Sequence, residues 1–254
     1  GKQTASTLGR IARGETVLEA GRAHWHATGR RAAGNGSLMR TAPLGVALAA
    51  CPLEQIVEGA LTDSLITHAD PRCLLAVAAF DAAIARAIAD DKTHVLTAER
   101  ANAMIAAACD GLTIAAARMR ELWRDDADDL VAIASAEADL TRDLDAATAA
   151  EPGVYRGELD LHKTAGFVRV AFRLAFWHLG HTPWRDAVVD VASRGGDADT
   201  NAAIVGVLVG ARDGVTAIPP AWVERVLAAT QPGPAEWADA HHPRHLVALA
   251  ASLR

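Results

Sequence analysis

Two carboxylates and a hydroxyl fall within four residues in Asp197-Ala198-Asp199-Thr200, directly after Gly195 and Gly196. Carboxylates this close repel one another unless backbone N–H groups or a hard cation neutralise them, and Mg²⁺ or Mn²⁺ prefers such oxygen donors. The glycine pair lets the backbone turn sharply, and Asp199 or Thr200 can then cap the helix that follows. That helix runs through Ala202-Ala203-Ile204-Val205-Gly206-Val207-Leu208-Val209-Gly210. It is apolar throughout, which predicts burial and sets Asp197 and Asp199 at a buried helix start. Its small residues, Ala202, Ala203, Gly206 and Gly210, would let neighbours approach closely. Helix capping and divalent-cation ligation are both open to these side chains, and a buried helix behind them favours the cation.

Two further stretches carry residues suited to a ligand. In Gly34-Asn35-Gly36-Ser37-Leu38-Met39-Arg40 a Gly-Asn-Gly-Ser turn precedes a helix expected to start at Pro43. Successive N–H groups in such a turn form a cradle for an anion such as phosphate, and an ordinary helix connection would look the same. Arg40 could serve a core carboxylate or a ligand. In Thr67-His68-Ala69-Asp70-Pro71-Arg72-Cys73, Asp70 can cap a helix opened by Pro71, and His68 beside it could position a substrate hydroxyl. The other polar groups read as ordinary surface. Asp125 to Asp129 reads as an exposed loop or helix end, His24 and His26 as a polar helix end on two faces, and His241, His242 and His245 as a solvated tail cluster.

The elements that must position these residues are helices. Alanine dominates, aromatics make up 4%, half the residues are apolar, and period-2 alternation is nearly absent in the 254 residues. Helical spacing predicts two helices between residues 3 and 29 broken near Gly14, helices over 53–68 and 71–89, and outer helices over 90–150 with a turn near Asp110-Gly111. A loop is expected over 150–158, a central helix from His162 to Gly180, one over 184–193, and surface helices near 221–230 and 243–253. A net charge of −6 argues against nucleic acid or an anionic membrane as main partner. No apolar run is long enough to span a bilayer and no signal peptide opens the chain. Cys51, Cys73 and Cys109, an odd number in apolar helical contexts, read as reduced core thiols; the expectation is a cytoplasmic protein.

Taken together, the Gly34–Pro43 stretch, the Thr67–Cys73 turn, and Gly166-Phe167-Val168 leading to Gly195–Ala203 resemble the ADP-ribosylglycohydrolase family. This is the family of the dinitrogenase reductase-activating glycohydrolase and the ADP-ribosyl-acceptor hydrolases. Order and spacing agree over nearly the whole chain, although Phe167 stands where the family often has Tyr. The resemblance implies an all-α fold, a compact multi-helix orthogonal bundle forming a single domain over residues 1–254. It also implies two Mg²⁺ (or Mn²⁺) ions and cleavage of the glycosidic bond between ADP-ribose and a modified protein side chain or a related conjugate. Carried over by motif, Asp197, Asp199 and Thr200 are metal ligands, and Asn35, Gly36, Ser37 and Met39 line the diphosphate and ribose. His68, Asp70 and Phe167 border the same cleft. Family members carry a catalytic acid/base carboxylate and a Thr-Asp-Asp motif before the point where this chain begins. The catalytic group is therefore expected upstream of Gly1, the domain being N-terminally incomplete, or the chain is an inactive ADP-ribose-binding or structural relative. Leu61-Thr62-Asp63-Ser64 is a partial likeness of that motif in the wrong place. The acceptor side chain and the oligomeric state are not readable from these residues.

Overall fold

The computed structural model describes residues 1–89, 97–230 and 232–253. In chain order the helices are α1 (Lys2–Ile11), α2 (Val17–Ala27), α3 (Ala42–Ala47), α4 (Leu53–Leu65), α5 (Pro71–Ala89), α6 (Thr97–Leu122) and α7 (Ala127–Asp145). Then follow a two-residue hairpin of β1 (Tyr155–Arg156) and β2 (Leu159–Asp160), and α8 (Val168–His181), α9 (Trp184–Ser193), α10 (Ala198–Asp213), α11 (Pro220–Leu227), α12 (Ala235–Ala240) and α13 (Leu246–Ser252). The fold is an all-α bundle, as the alanine-rich periodicity requires. Residues 90–96, which open the predicted outer segment, lie outside the described residues.

Local chemistry sets the helix ends. Thr16 and Glu19 form a reciprocal capping box at α2, and Asp126 caps α7 by accepting from the N–H groups of Asp128 and Asp129. α5 starts at Pro71, where a missing N–H costs nothing. α5 and α8 form the centre. Nearly all of α5 is buried, including Leu74, Leu75, Phe80 and Ile84, and α8 buries Val170, Phe172, Leu174 and Phe176. α10 lies against α8, α9 and α5, while α11 to α13 bury no residue.

Several expectations are corrected. The turn near Asp110-Gly111 does not exist, because α6 runs through it. Gly111 is instead a contact point, since a Cβ there would stand 2.8 Å from the Ala82 Cβ on α5. The central helix begins at Val168 rather than His162, and the expected loop holds the small hairpin. Of the cysteines only Cys73 is buried; Cys109 is exposed. α10 is not buried all round. Ile204, Val205, Leu208 and Val209 face the core, whereas Asp199, Ala203 and Val207 face solvent. Its apolar composition hid this because alanine and valine are tolerated on a surface at little cost. Gly206 and Gly210 do admit a close neighbour: the Trp184 indole lies on both and donates to the Gly206 carbonyl at 2.8 Å. No helix among the described residues is long and apolar enough to cross a membrane.

Candidate functional site

Three non-helical stretches converge at the start of α10. Residues 33–35 pair with 166–168 as a one-step antiparallel bridge, the Asn35 N–H donating to Gly166 O at 2.9 Å and the Val168 N–H to Ala33 O at 3.0 Å. The turn after β2 is tied by Asp160, which accepts from the N–H groups of His162 and Lys163. That turn presses on Gly196, where the backbone has φ +68° and a Cβ would meet Leu161 O at 2.6 Å. Only glycine serves there, for conformation and for space.

Asn35 is the joint between these stretches. Buried at 7% exposure, it donates through Nδ2 to Asp197 Oδ2 at 2.7 Å and, at 3.4 Å, to Asn201 Oδ1. Asp197 occupies the N-cap position of α10 yet makes no side-chain cap, so the capping explanation for this residue fails. Gly166 borders the same point, its Cβ position lying 3.8 Å from Asp197 Oδ2. Asp199 is exposed and Thr200 half-buried, and neither side chain has a partner among the described residues. The expected buried position of Asp199 is thus wrong, because α10 turns its first-turn carboxylate outward. Asn201 was missed by the sequence reading. It lies one helical turn after Asp197, fully buried, with Nδ2 unpartnered, and an i, i+4 scan of the motif would have found it.

The Gly34–Arg40 loop has a histidine beneath it. His68, 3% exposed, lies under Gly36 so closely that a Cβ there would be 2.8 Å from its Cε1 and Nε2. Burial, and next the charge of Arg40, push the His68 pKa down to about 4, so the ring is neutral at pH 7. Ser37 is sealed in, its Oγ accepting from Ser64 Oγ at 2.9 Å, whereas Met39 is 55% exposed at the loop edge. Arg40 pairs with a carboxylate of the protein, though a partly exposed one rather than a core group: Asp63, at 3.0 Å.

Asp70 is fully engaged by protein. It accepts from Trp25 Nε1 at 2.9 Å and from Arg72 N, Nε and Nη2 at 3.0, 2.8 and 2.7 Å. The Arg72 guanidinium in turn lies 5.4 Å from the Phe167 ring centroid. Asp70 therefore reaches the site through Arg72 and Phe167. The sequence reading missed Arg72.

Other candidates lie elsewhere. His26, Asp126 and Asp129 place one donor atom each within 4.8 Å of one another, but Asp129 is fully buried and already paired with Arg22, Arg30 and His26 at 2.5, 2.9 and 2.9 Å. Burial would raise its pKa, yet these hydrogen bonds outweigh burial and hold it below the ordinary value. Two guanidinium groups stand where a dication would have to be. The reading of Asp129 as exposed is overturned, and His26, at the polar end of α2 as expected, meets Asp129 across 103 residues, a contact invisible to local spacing. A cavity of about 700 Å³, lined by Thr97, Arg100, His181, Arg212 and Asp213, lies at the opposite end of α10.

A glycine-rich turn, a buried neutral histidine and a carboxylate-bearing helix start thus lie together in an all-α protein. Residues 1–251 match the family model described as ADP-ribosylglycohydrolase, and the chain belongs to that family. Comparison with curated proteins and with solved structures gave no match.

Proposed function

We propose that this glycohydrolase removes ADP-ribose from a modified protein side chain, or from a related ADP-ribose conjugate, with two Mg²⁺ or Mn²⁺ ions. The observation that carries the reading is the 2.7 Å hydrogen bond from Asn35 to Asp197, which joins the anion loop to the carboxylate helix across 162 residues. The donor set fits the metal. Asp197 does not cap its helix, Asp199 and Thr200 have no partner among the described residues, and all three offer the oxygen atoms that hard cations prefer. Bound there, such ions would polarise a ribose oxygen and acidify a water. The protein's own part is orientation. Asn35 holds Asp197 in place, the N–H groups about Gly36 and Ser37 receive the diphosphate, and Phe167, braced by Arg72, walls the cleft. None of the described residues is assigned as the general acid/base.

The alternative is ADP-ribose binding without turnover, favoured by the lack, among the described residues, of a third acidic, histidine or cysteine ligand near Asp197 and Asp199. Release of ADP-ribose from ADP-ribosyl-arginine and ADP-ribosyl-serine peptides with Mn²⁺ present, together with calorimetry of ADP-ribose binding, separates the two. Turnover is expected, and Asp197→Asn and Asp199→Asn should each lower apparent Mn²⁺ affinity at least about tenfold, or 1.4 kcal/mol. Binding without release on either peptide selects the alternative, and absence of both sinks both readings.

A further inference from the structure

A hydrogen-bonded relay ends at His68. Arg40 is fixed by Asp63, whose carboxylate accepts from its Nε at 3.0 Å and whose backbone carbonyl accepts from its Nη2 at 2.7 Å. Arg40 Nη1 then donates to Thr67 Oγ1 at 2.7 Å, and Thr67 Oγ1 lies 2.7 Å from His68 Nδ1. Thr67 is buried at 3% exposure.

Donor arithmetic decides where the proton sits. Guanidinium has no acceptor, so Thr67 Oγ1 spends one lone pair on Arg40 and keeps a single O–H to give. Among the described residues the only acceptor meeting that O–H is His68 Nδ1. Were Nδ1 protonated instead, the Thr67 proton would be stranded in the interior, a state buried hydroxyls avoid. Nδ1 is thus the bare nitrogen and Nε2 carries the proton. Nε2–H has no protein partner among the described residues and is not sealed from solvent. It faces Gly34 and Gly36, with Cβ positions 3.6 and 2.8 Å away.

We propose that Arg40 and Thr67 are positioning residues which hold His68 as its Nε2–H tautomer, so that it donates to an oxygen of ADP-ribose seated on the Gly34–Gly36 loop. The identity of the ligand rests on the function proposed above, whereas the tautomer does not.

The test is a long-range ¹H–¹⁵N correlation spectrum of the chain labelled with ¹⁵N-histidine, paired with ADP-ribose calorimetry on wild type, Thr67→Val and Thr67→Ser. The wild type should show Nε2–H before ligand is added and a shift of that nitrogen on titration. Thr67→Val should populate both tautomers and lose about tenfold in affinity, while Thr67→Ser, which keeps the hydroxyl, should stay within twofold. A wild-type spectrum with the proton on Nδ1 overturns the proposal, and so does a Thr67→Val protein that keeps wild-type affinity or loses affinity with its tautomer unchanged. Should wild type fail to bind ADP-ribose, the functional reading falls, and the ligand-free spectrum still decides the relay by itself.

Discussion

At the scale of single residues, the site depends on how closely a backbone can approach a side chain. Gly36 shows this. An alanine Cβ would sit 2.8 Å from two atoms of a buried ring that is itself held by Thr67, so either the ring or the loop must give way. Overpacking of this kind costs typically about 1–3 kcal/mol. Gly36→Ala is therefore expected to lower thermal stability modestly and weaken ADP-ribose binding about tenfold or more, and Gly36→Val to do both more strongly. A larger side chain would obstruct the approach of a ligand to the backbone N–H groups, and the contact with His68 adds a second ground for the loss. Retained affinity in a folded Gly36→Val protein would remove this loop from the site.

Among the elements, α8 is the one whose placement governs the site, because Phe167 and Gly166 immediately precede its first turn. That turn is fastened by charge. Asp143 of α7, fully buried, accepts from Arg169 Nε at 2.8 Å and from Arg173 Nη2 at 2.6 Å, and Arg169 Nη1 also donates to Glu158 of the hairpin at 2.6 Å. One buried carboxylate thus binds two guanidinium groups between α7 and α8, and Asp139 and Glu158 supply further negative charge to Arg169. Asp143→Asn leaves Arg173 facing a neutral amide while Arg169 keeps Asp139 and Glu158, and breaking one side of a buried pair costs about 3–5 kcal/mol. For a chain of this length, the midpoint of thermal unfolding should fall by roughly 10 °C. A loss below about 1 kcal/mol would mean that packing of Phe172 and Phe176 positions α8 without the clamp.

Stability of the whole molecule should depend on pH through groups the fold buries. His68 and His178 both have pKa values lowered to about 4, first by burial. The unfolded value is near 6.5, so between about pH 6.5 and 4 the unfolded chain takes up protons the folded one refuses. Their contribution is complete above that window and is lost as pH falls through it, by roughly 3 kcal/mol per group. Asp81 works the other way. Burial pushes its carboxyl well above the ordinary range, although Thr41 donates to it at 2.5 Å. Its stabilisation is present below about pH 4, the unfolded value, and is lost as pH rises. Unfolding midpoints of wild type and Asp81→Asn measured from pH 4 to 8 separate these contributions. The wild type should weaken toward acid, and the variant should gain on it as pH rises. A constant difference between the two across this range would show that Asp81 is ionised in the fold.

Periodicity and local signals decided the elements of this protein. Alanine-rich helical spacing, the Asp70-Pro71 start and the break near Gly14 are short-range features, and short-range hydrogen bonding is what helices are made of. The motif strings also marked the stretches that meet, since Asn35, His68, Phe167 and Asp197 come to one place. What those strings could not contain is which side chains are already committed. Asp70 reads as a helix cap and Asp129 as an exposed helix end in the sequence, and the packing of α2 against their turns adds Trp25 to the first and Arg22 and His26 to the second. Asp199 looked buried because its helix is apolar, yet which face of that helix meets the core is set by α8 and α9. The His68 tautomer follows from Arg40, a residue 28 positions earlier in the chain. Burial and hydrogen-bond satisfaction are properties of neighbours in space, and for these residues the neighbours are supplied by other helices.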